Sequence, residues 1–262
     1  ARVEGTSIFA YLKDGATDLS VGADRIALGN ASNLAGRELL ALDTGAGTPL
    51  IGLYAVGSDG VSRLRAYRPT SGAVAWETAL FDAEWDVADV TSGSGAVFAA
   101  GRNWVNGTTA VKHRSAATGA LLTTIAHPAG FEPTAVAVAD AGSAVATLGL
   151  DAETGAVELR VNRSGDGVET DSWSVADGDT VISALAAAGS KLVTVTQDLA
   201  GAARVAVYEP GSGVPLVEFA PFAGDGAITG VAWLAELEAI AVSAAAPGSG
   251  IRVTTFAIAD GS

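Results

Sequence analysis

The 262-residue chain contains no cysteine and no methionine. The first absence excludes disulfides, thiolate metal sites and cysteine nucleophiles, and leaves the redox compartment open. Aromatic residues make up 6% of the chain, against 49% hydrophobic overall, so the apolar content is mainly Ala, Val and Leu in short runs. None of these runs approaches the roughly 18 residues that span a bilayer. The longest, residues 134–150, is broken by Asp140 and glycines and reads as two strands joined by a turn. A direct membrane span is therefore not expected. Basic residues are also scarce: 15 Lys and Arg stand against 29 Asp and Glu, a formal charge of −14. Nucleic acid needs clustered Lys and Arg along its phosphates, so it is not an expected partner, nor is an anionic lipid surface. The chain begins at Ala1 rather than at a methionine, as a processed protein or an excised domain would.

What is present is a period. The segments RAYRPTSG, VKHRSAATG, RVNRSGDG and VAVYEPGSG end on Gly72, Gly119, Gly167 and Gly213, and FAIADGS repeats the ending at Gly261. A constant spacing near 47 residues signals stacked copies of one supersecondary unit. Between Val168 and Gly213 the unit reads as four short strands: VETDSWSV, VISALAAAG, KLVTVTQDLAG and AARVAVYEPGSG. Turn signals every 8 to 12 residues and period-two alternation are the all-β pattern, and at this period the unit matches one propeller blade. The expected fold is all-β: one β-propeller domain over residues 1–262, with four-stranded blades. SALAAAG and VAVADAG have the small side chains suited to the innermost strand. The Val231–Val242 stretch has helix-like composition, but its place in the repeat makes it two strands.

One irregularity bears on the blade count. RELLALDTGAG resembles a unit end at Gly47, only 25 residues before Gly72. With repeat ends near 47, 72, 119, 167, 213 and 261, the expectation is about six blades, one short or incomplete, or a loss of some 22 residues near 48–50. The last unit lacks a strand after Ser262, and the N-terminal VEGTSIFAYL is expected to supply it and close the last blade.

The unit end resembles a known repeat. Tyr67-Arg68-Pro69-Thr70-Ser71-Gly72-Ala73-Val74-Ala75-Trp76 is similar to the quinoprotein-type (PQQ-like) propeller signature A-x-D-x-x-T-G-x-x-x-W. Ala41-Leu42-Asp43-Thr44-Gly45 and Ala116-Ala117-Thr118-Gly119 resemble its Thr-Gly turn. Trp173 falls two residues late after Gly167, and no unit carries the Gly-His and Trp-Asp pair of WD repeats. The quinone-dependent members carry a vicinal cysteine pair, absent here, so the resemblance implies the non-catalytic type, a binding platform without cofactor. The order of SRLRAYRPTSGAVAWETAL, TTAVKHRSAATG, GSAVATLGL and VELRVNRSGDG also resembles the lumenal propeller of the large subunit of the ER membrane protein complex.

Candidate functional residues are few. Three of the five asparagines stand in glycosylation sequons, Asn30, Asn106 and Asn162, each where a turn and surface exposure are expected. They point to a secreted protein or an organelle lumen such as the ER. The densest acidic run, with Asp82, Glu84, Asp86 and Asp89 around Trp85, falls between the outer strand of one blade and the inner strand of the next. It is the expected partner-contact loop. A calcium site would need further oxygen ligands in regular spacing, and no metal site is assigned. His113 and His127 are the only histidines, without an adjacent constellation for acid–base work. No G-x-S-x-G elbow occurs. Trp85, Trp104 and Trp233 are candidates for an exposed contact or for blade packing. The expected function is a non-catalytic scaffold for protein–protein interaction. The alternatives are a propeller hydrolase or lyase with axial carboxylates, or a structural repeat of a surface layer or filament.

Overall fold

The computed structural model describes residues 2–3, 6–13, 16–21, 24–30, 38–42, 50–68, 71, 73–178, 180–221, 227–234, 239–246 and 250–257. Among them, 23 strands form six antiparallel sheets in chain order. The first sheet holds β1 (Arg2–Val3), β2 (Thr6–Lys13), β3 (Ala16–Val21) and β4 (Asp24–Asn30). The second holds β5 (Glu38–Leu42), β6 (Leu50–Val56), β7 (Ser62–Tyr67) and β8 (Val74–Phe81). The third holds β9 (Trp85–Gly93), β10 (Ala96–Asn103), β11 (Thr109–Ser115) and β12 (Leu121–Ala126). The fourth holds β13 (Phe131–Ala139), β14 (Ala144–Asp151), β15 (Val157–Arg163) and β16 (Glu169–Ala176). The fifth holds β17 (Thr180–Ala188), β18 (Lys191–Asp198), β19 (Ala203–Tyr208) and β20 (Pro215–Phe219). The sixth has three described strands, β21 (Ala227–Leu234), β22 (Ala239–Ala246) and β23 (Gly250–Ala257). The first strands β5, β9, β13, β17 and β21 lie beside one another in that order. This is the blade arrangement of a β-propeller.

Period-two alternation explains the stacking. On β10, Val97 and Ala99 join the core shared with the second sheet, and Ala96, Phe98 and Ala100 join the core shared with the fourth. On β18, Leu192 faces the fourth sheet while Val193 and Val195 face the sixth. Middle strands thus bury both faces, which is why they read as apolar runs. Each fully buried Leu or Phe contributes roughly 1.5–3 kcal/mol. The outer strands β8, β12, β16 and β20 are largely exposed or half-buried.

The repeated glycine has a local cause. Gly119, Gly167 and Gly213 lie in the turns between third and fourth strands with φ of +73°, +75° and +60°, a region that disfavours other residues. The outer strand of the preceding sheet packs on two of these glycines with an aromatic ring. A Cβ on Gly119 would lie 2.7 Å from the Trp76 ring, and one on Gly213 would lie 3.6 Å from Trp173. Trp76 Nε1 also donates to the Ala116 carbonyl at 3.1 Å.

The structure corrects three readings. The sequence unit and the sheet are out of phase by one strand: residues 168–213 contain β16, the outer strand of the fourth sheet, followed by β17, β18 and β19. ELLAL is not a unit end but β5, the first strand of its sheet. The 25 residues from Gly47 to Gly72 accordingly hold two strands, β6 and β7, of a complete four-stranded sheet; both glycines lie outside the described residues. Among the described residues the sheet with three strands is the sixth. Finally, among the described residues the N-terminal segment is not paired with the sixth sheet: β2 lies in the first sheet, paired with β3 from Ile8 to Lys13 and with β1 at Thr6 and Ser7. The Val231–Val242 stretch is divided between β21 and β22 as two paired strands; its corner, residues 235–238, lies outside the described residues.

Candidate partner-contact face

The turns divide into two faces. On one, the crossover loops between sheets meet the turns between second and third strands: Trp104 N donates to Glu84 O at 2.9 Å, and Ala152 N to Gly130 O at 2.8 Å. On the other, third-to-fourth turns meet first-to-second turns: Ala116 N donates to Gly95 O at 2.9 Å, and Ser164 N to Ser143 O at 2.9 Å. The acidic run belongs to the first face.

Its five residues do not act alike. Asp82, Glu84 and Asp86 are exposed. Trp85 is half-buried, stacked on Phe81 with ring centroids 4.7 Å apart. The Lys112 ammonium sits 4.6 Å from the Phe81 ring and 6.0 Å from Trp85, so a cation–π contact covers this pair. Burial there pulls the Lys112 amine below its usual range. Asp89 turns inward between sheets: its carboxylate accepts from Val90 N and, at 2.8 Å, from Val136 N on the next inner strand. Burial pushes this carboxyl up, opposed by those two hydrogen bonds.

Trp104, rather than Trp85, is the exposed ring of this loop cluster. It is 62% exposed, beside Val105 at 59%, and its Nε1 reaches Ala83 O at 3.4 Å. Its turn is held by Asn103, a buried residue that the sequence reading passed over. Asn103 Oδ1 accepts from Val105 N at 2.9 Å and from Asn106 N at 3.1 Å. An Asn opening a five-residue stretch that ends in Asn-Gly was the available signal. Arg102 pairs with Glu132 at the flank, joining the third and fourth sheets. The result is an apolar projection, Trp104 and Val105, beside three exposed carboxylates, of which Glu84 accepts from Asn103 Nδ2 at 3.5 Å. Trp233 instead packs half-buried in the core between the fifth and sixth sheets.

The sequons fall in unlike places. Asn106 is exposed, and its Oδ1 accepts from Thr108 N at 2.9 Å and Thr108 Oγ1 at 2.7 Å. Asn162 is not at an exposed turn: it lies in β15, 1% exposed, and its Nδ2 donates to Gly167 O at 3.1 Å. A glycan on that nitrogen is incompatible with this packing. Asn30 ends β4; its side chain and the rest of its sequon lie outside the described residues.

The histidines are separate and buried. His113 stacks on Phe98 at 4.5 Å, and its Nδ1 lies 2.9 Å from Ser164 O. His127 packs against Phe131 at 4.8 Å, and neither ring nitrogen has a hydrogen-bond partner. Burial, with the Arg160 charge nearby, pushes its pKa down to about 4. Among the described residues no three His, Cys, Asp or Glu side chains group as a metal site, and no helix is long and apolar enough to cross a membrane. A recess of about 580 Å³ runs along β16 and β19 past Asp177, Asp198 and Arg204. Arg204 is already engaged there, by Val175 O at 2.9 Å and Glu218 at 2.7 Å.

No family model matches this chain, and no curated protein matches it. Solved structures do. Raptor from Chaetomium thermophilum aligns over 97% of this chain with TM-score 0.67 and 14% identity; the chain spans only 23% of Raptor. A hydrazine synthase chain from Kuenenia stuttgartiensis aligns over 95% with TM-score 0.65 and 10% identity, the match covering 72% of that chain. The Dos1 propeller aligns over 92% with TM-score 0.57 and 9% identity, covering 62% of that chain. At such identities the likeness is one of fold, and the chain is a blade-type β-propeller.

Proposed function

We propose that this protein is a non-catalytic propeller scaffold that binds a protein partner through the face bearing the crossover loops. The observation that carries the reading is Trp104, a largely exposed ring on a turn fixed by Asn103, standing beside exposed Asp82, Glu84 and Asp86. An aromatic anchor with a charged rim is the composition of an interaction hot spot, and the carboxylates favour a basic partner surface. Replacing Trp104 with Asp is expected to reduce recovery of the partner roughly 30-fold in quantitative affinity purification, the scale of a hot-spot loss. The melting temperature should stay unchanged, because the ring is mostly in solvent. Unaltered recovery contradicts the reading.

The relation to the quinoprotein-type repeat is part of this proposal. It is supported by the docking of Trp76 on Ala116 and Gly119: the Trp of one copy of the signature meets the Ala and Gly of the next across the sheet boundary. A lumenal or extracellular setting, as for the ER membrane complex propeller, is proposed on the exposed sequon at Asn106. The intact mass of the native protein should then exceed the sequence mass and fall to it on glycosidase treatment, with the glycan at Asn106 and not at Asn162. A bare mass contradicts this setting. Asn106 lies two residues from Trp104, so a glycan there would flank the contact patch without covering Asp82.

A further inference from the structure

The recess between the fourth and fifth sheets carries polar groups that the packing of the strands does not use. It lies between β16 on one side and β18 and β19 on the other, and its volume of about 580 Å³ is that of a small-ligand site. Thr196 of β18 lines it, directly across from Arg204 of β19. Thr196 is 6% exposed, yet its hydroxyl has no hydrogen-bond partner among the described residues. A buried hydroxyl without a partner costs stability, and a valine would fill the same space without that cost.

Two carboxylates line the same recess where the crossover to the fifth sheet begins. Asp177 is exposed and Asp198 is half-buried. Asp198 accepts from Ala202 N at 2.8 Å, and neither carboxylate forms an ion pair among the described residues. Arg204 is the one cation of the lining, and its terminal nitrogens are committed to Val175 O at 2.9 Å and Glu218 at 2.7 Å. Glu218 therefore matches its charge, and the recess keeps the negative charges of Asp177 and Asp198. Residue 179, which lies outside the described residues in this crossover, is an aspartate and supplies no cation. Val175, Ala176 and Pro215 give the recess an apolar flank.

We infer that this recess binds an organic cation, an ammonium or guanidinium group on a short aliphatic stem. The head pairs with Asp177 and Asp198 and donates to the Thr196 hydroxyl, and the stem lies along the apolar flank. An anion would be repelled, and a neutral ligand would leave both carboxylates without a counter-charge. The same head group is carried by free amines and by the Lys and Arg side chains of a polypeptide. The site is distinct from the Trp104 loop of the third sheet and does not rest on it.

The probe is butylguanidinium, titrated into the full chain while the amide resonances of Thr196 and Ala202 are followed by NMR. Saturable shifts are expected. Butylurea, its uncharged counterpart, should bind at least tenfold more weakly. Asp198→Asn, which keeps an acceptor for Ala202 N, should weaken the cation about tenfold, and so should Asp177→Asn. Thr196→Val should weaken it about fivefold without lowering the melting temperature, since the hydroxyl has no partner in the chain. Acetyl-Gly-Arg-Gly-amide separates the sources: binding as tight as butylguanidinium supports a basic side chain as the ligand, and binding of butylguanidinium alone supports a free amine. The Trp104→Asp chain should bind the cation unchanged, which separates failure here from failure of the contact-face reading. No saturable shift with either cation, equal binding of butylurea, or affinity that Asp177→Asn and Asp198→Asn together leave intact overturns the inference.

Discussion

Lowering the pH from 7 to 4 is expected to cost the folded protein about 3 kcal/mol through His127 alone. The ring is buried, 9% exposed, with both nitrogens unpartnered, and its folded pKa is about 4. An unfolded histidine titrates near 6.5, and each unit of difference corresponds to about 1.4 kcal/mol. Because the folded value is the lower one, the unfolded chain binds more protons between the two. Stability is thus full above about pH 6.5, falls as the pH drops, and levels off near 4. His113 is depressed in the same direction by burial, while Asp89, raised by burial, opposes both. The contribution of His127 is isolated by comparing urea midpoints of wild type and His127→Leu across this range. The variant should lose most of the acid slope. At pH 7 it should match wild type to within about 1 kcal/mol, since no hydrogen bond of the ring is lost. An acid slope identical in both proteins would place the histidine in contact with water.

The second large effect concerns Gly149 on β14. The inner strand β13 bulges between Pro133 and Ala135, and this brings the Glu132 carbonyl and the Phe131 ring over the glycine. A Cβ there would lie 2.5 Å from Glu132 O and 2.5 Å from Phe131 Cζ. Gly101 stands in the same place one sheet earlier, where a Cβ would lie 2.9 Å from Asp86 O. Backbone cannot yield as a side-chain tip can, so Gly149→Ala is expected to destabilise by about 3 kcal/mol through overpacking of the inner strand. Gly165→Ala, where a Cβ meets nothing within 4 Å, should stay within about 0.5 kcal/mol. Equal midpoints for the two variants in urea would show that the inner strand moves aside freely.

The period and the strand content were legible because the third, fourth and fifth sheets each place a left-handed glycine after the third strand, where the neighbouring sheet packs on it. Gly119 and Gly213 serve both purposes, and a requirement met twice leaves a regular mark. The phase was not legible: a glycine turn looks alike after the first strand and after the third, so the segment around Gly47 read as a unit end when its strand opens a sheet. Turn chemistry located the acidic loop but not the orientation of its rings. Trp85 and Trp104 have similar neighbours in sequence. Only the stacking of Phe81 and Lys112 on the first, and the Asn103 turn beneath the second, decide which ring reaches solvent. Asn162 was misplaced for a related reason, since Asn-Arg-Ser before Gly-Asp-Gly resembles a turn although its asparagine still belongs to β15.

Position-specific photocrosslinking in the source cells tests the scaffold reading most directly, with the reactive residue at 104 on the crossover-loop face or at Ala117, exposed on the opposite face. The account predicts one discrete protein adduct from position 104, reproduced from positions 82 and 84 and absent from 117. The same adducts from both faces, or none from 104 while 117 gives one, would contradict it.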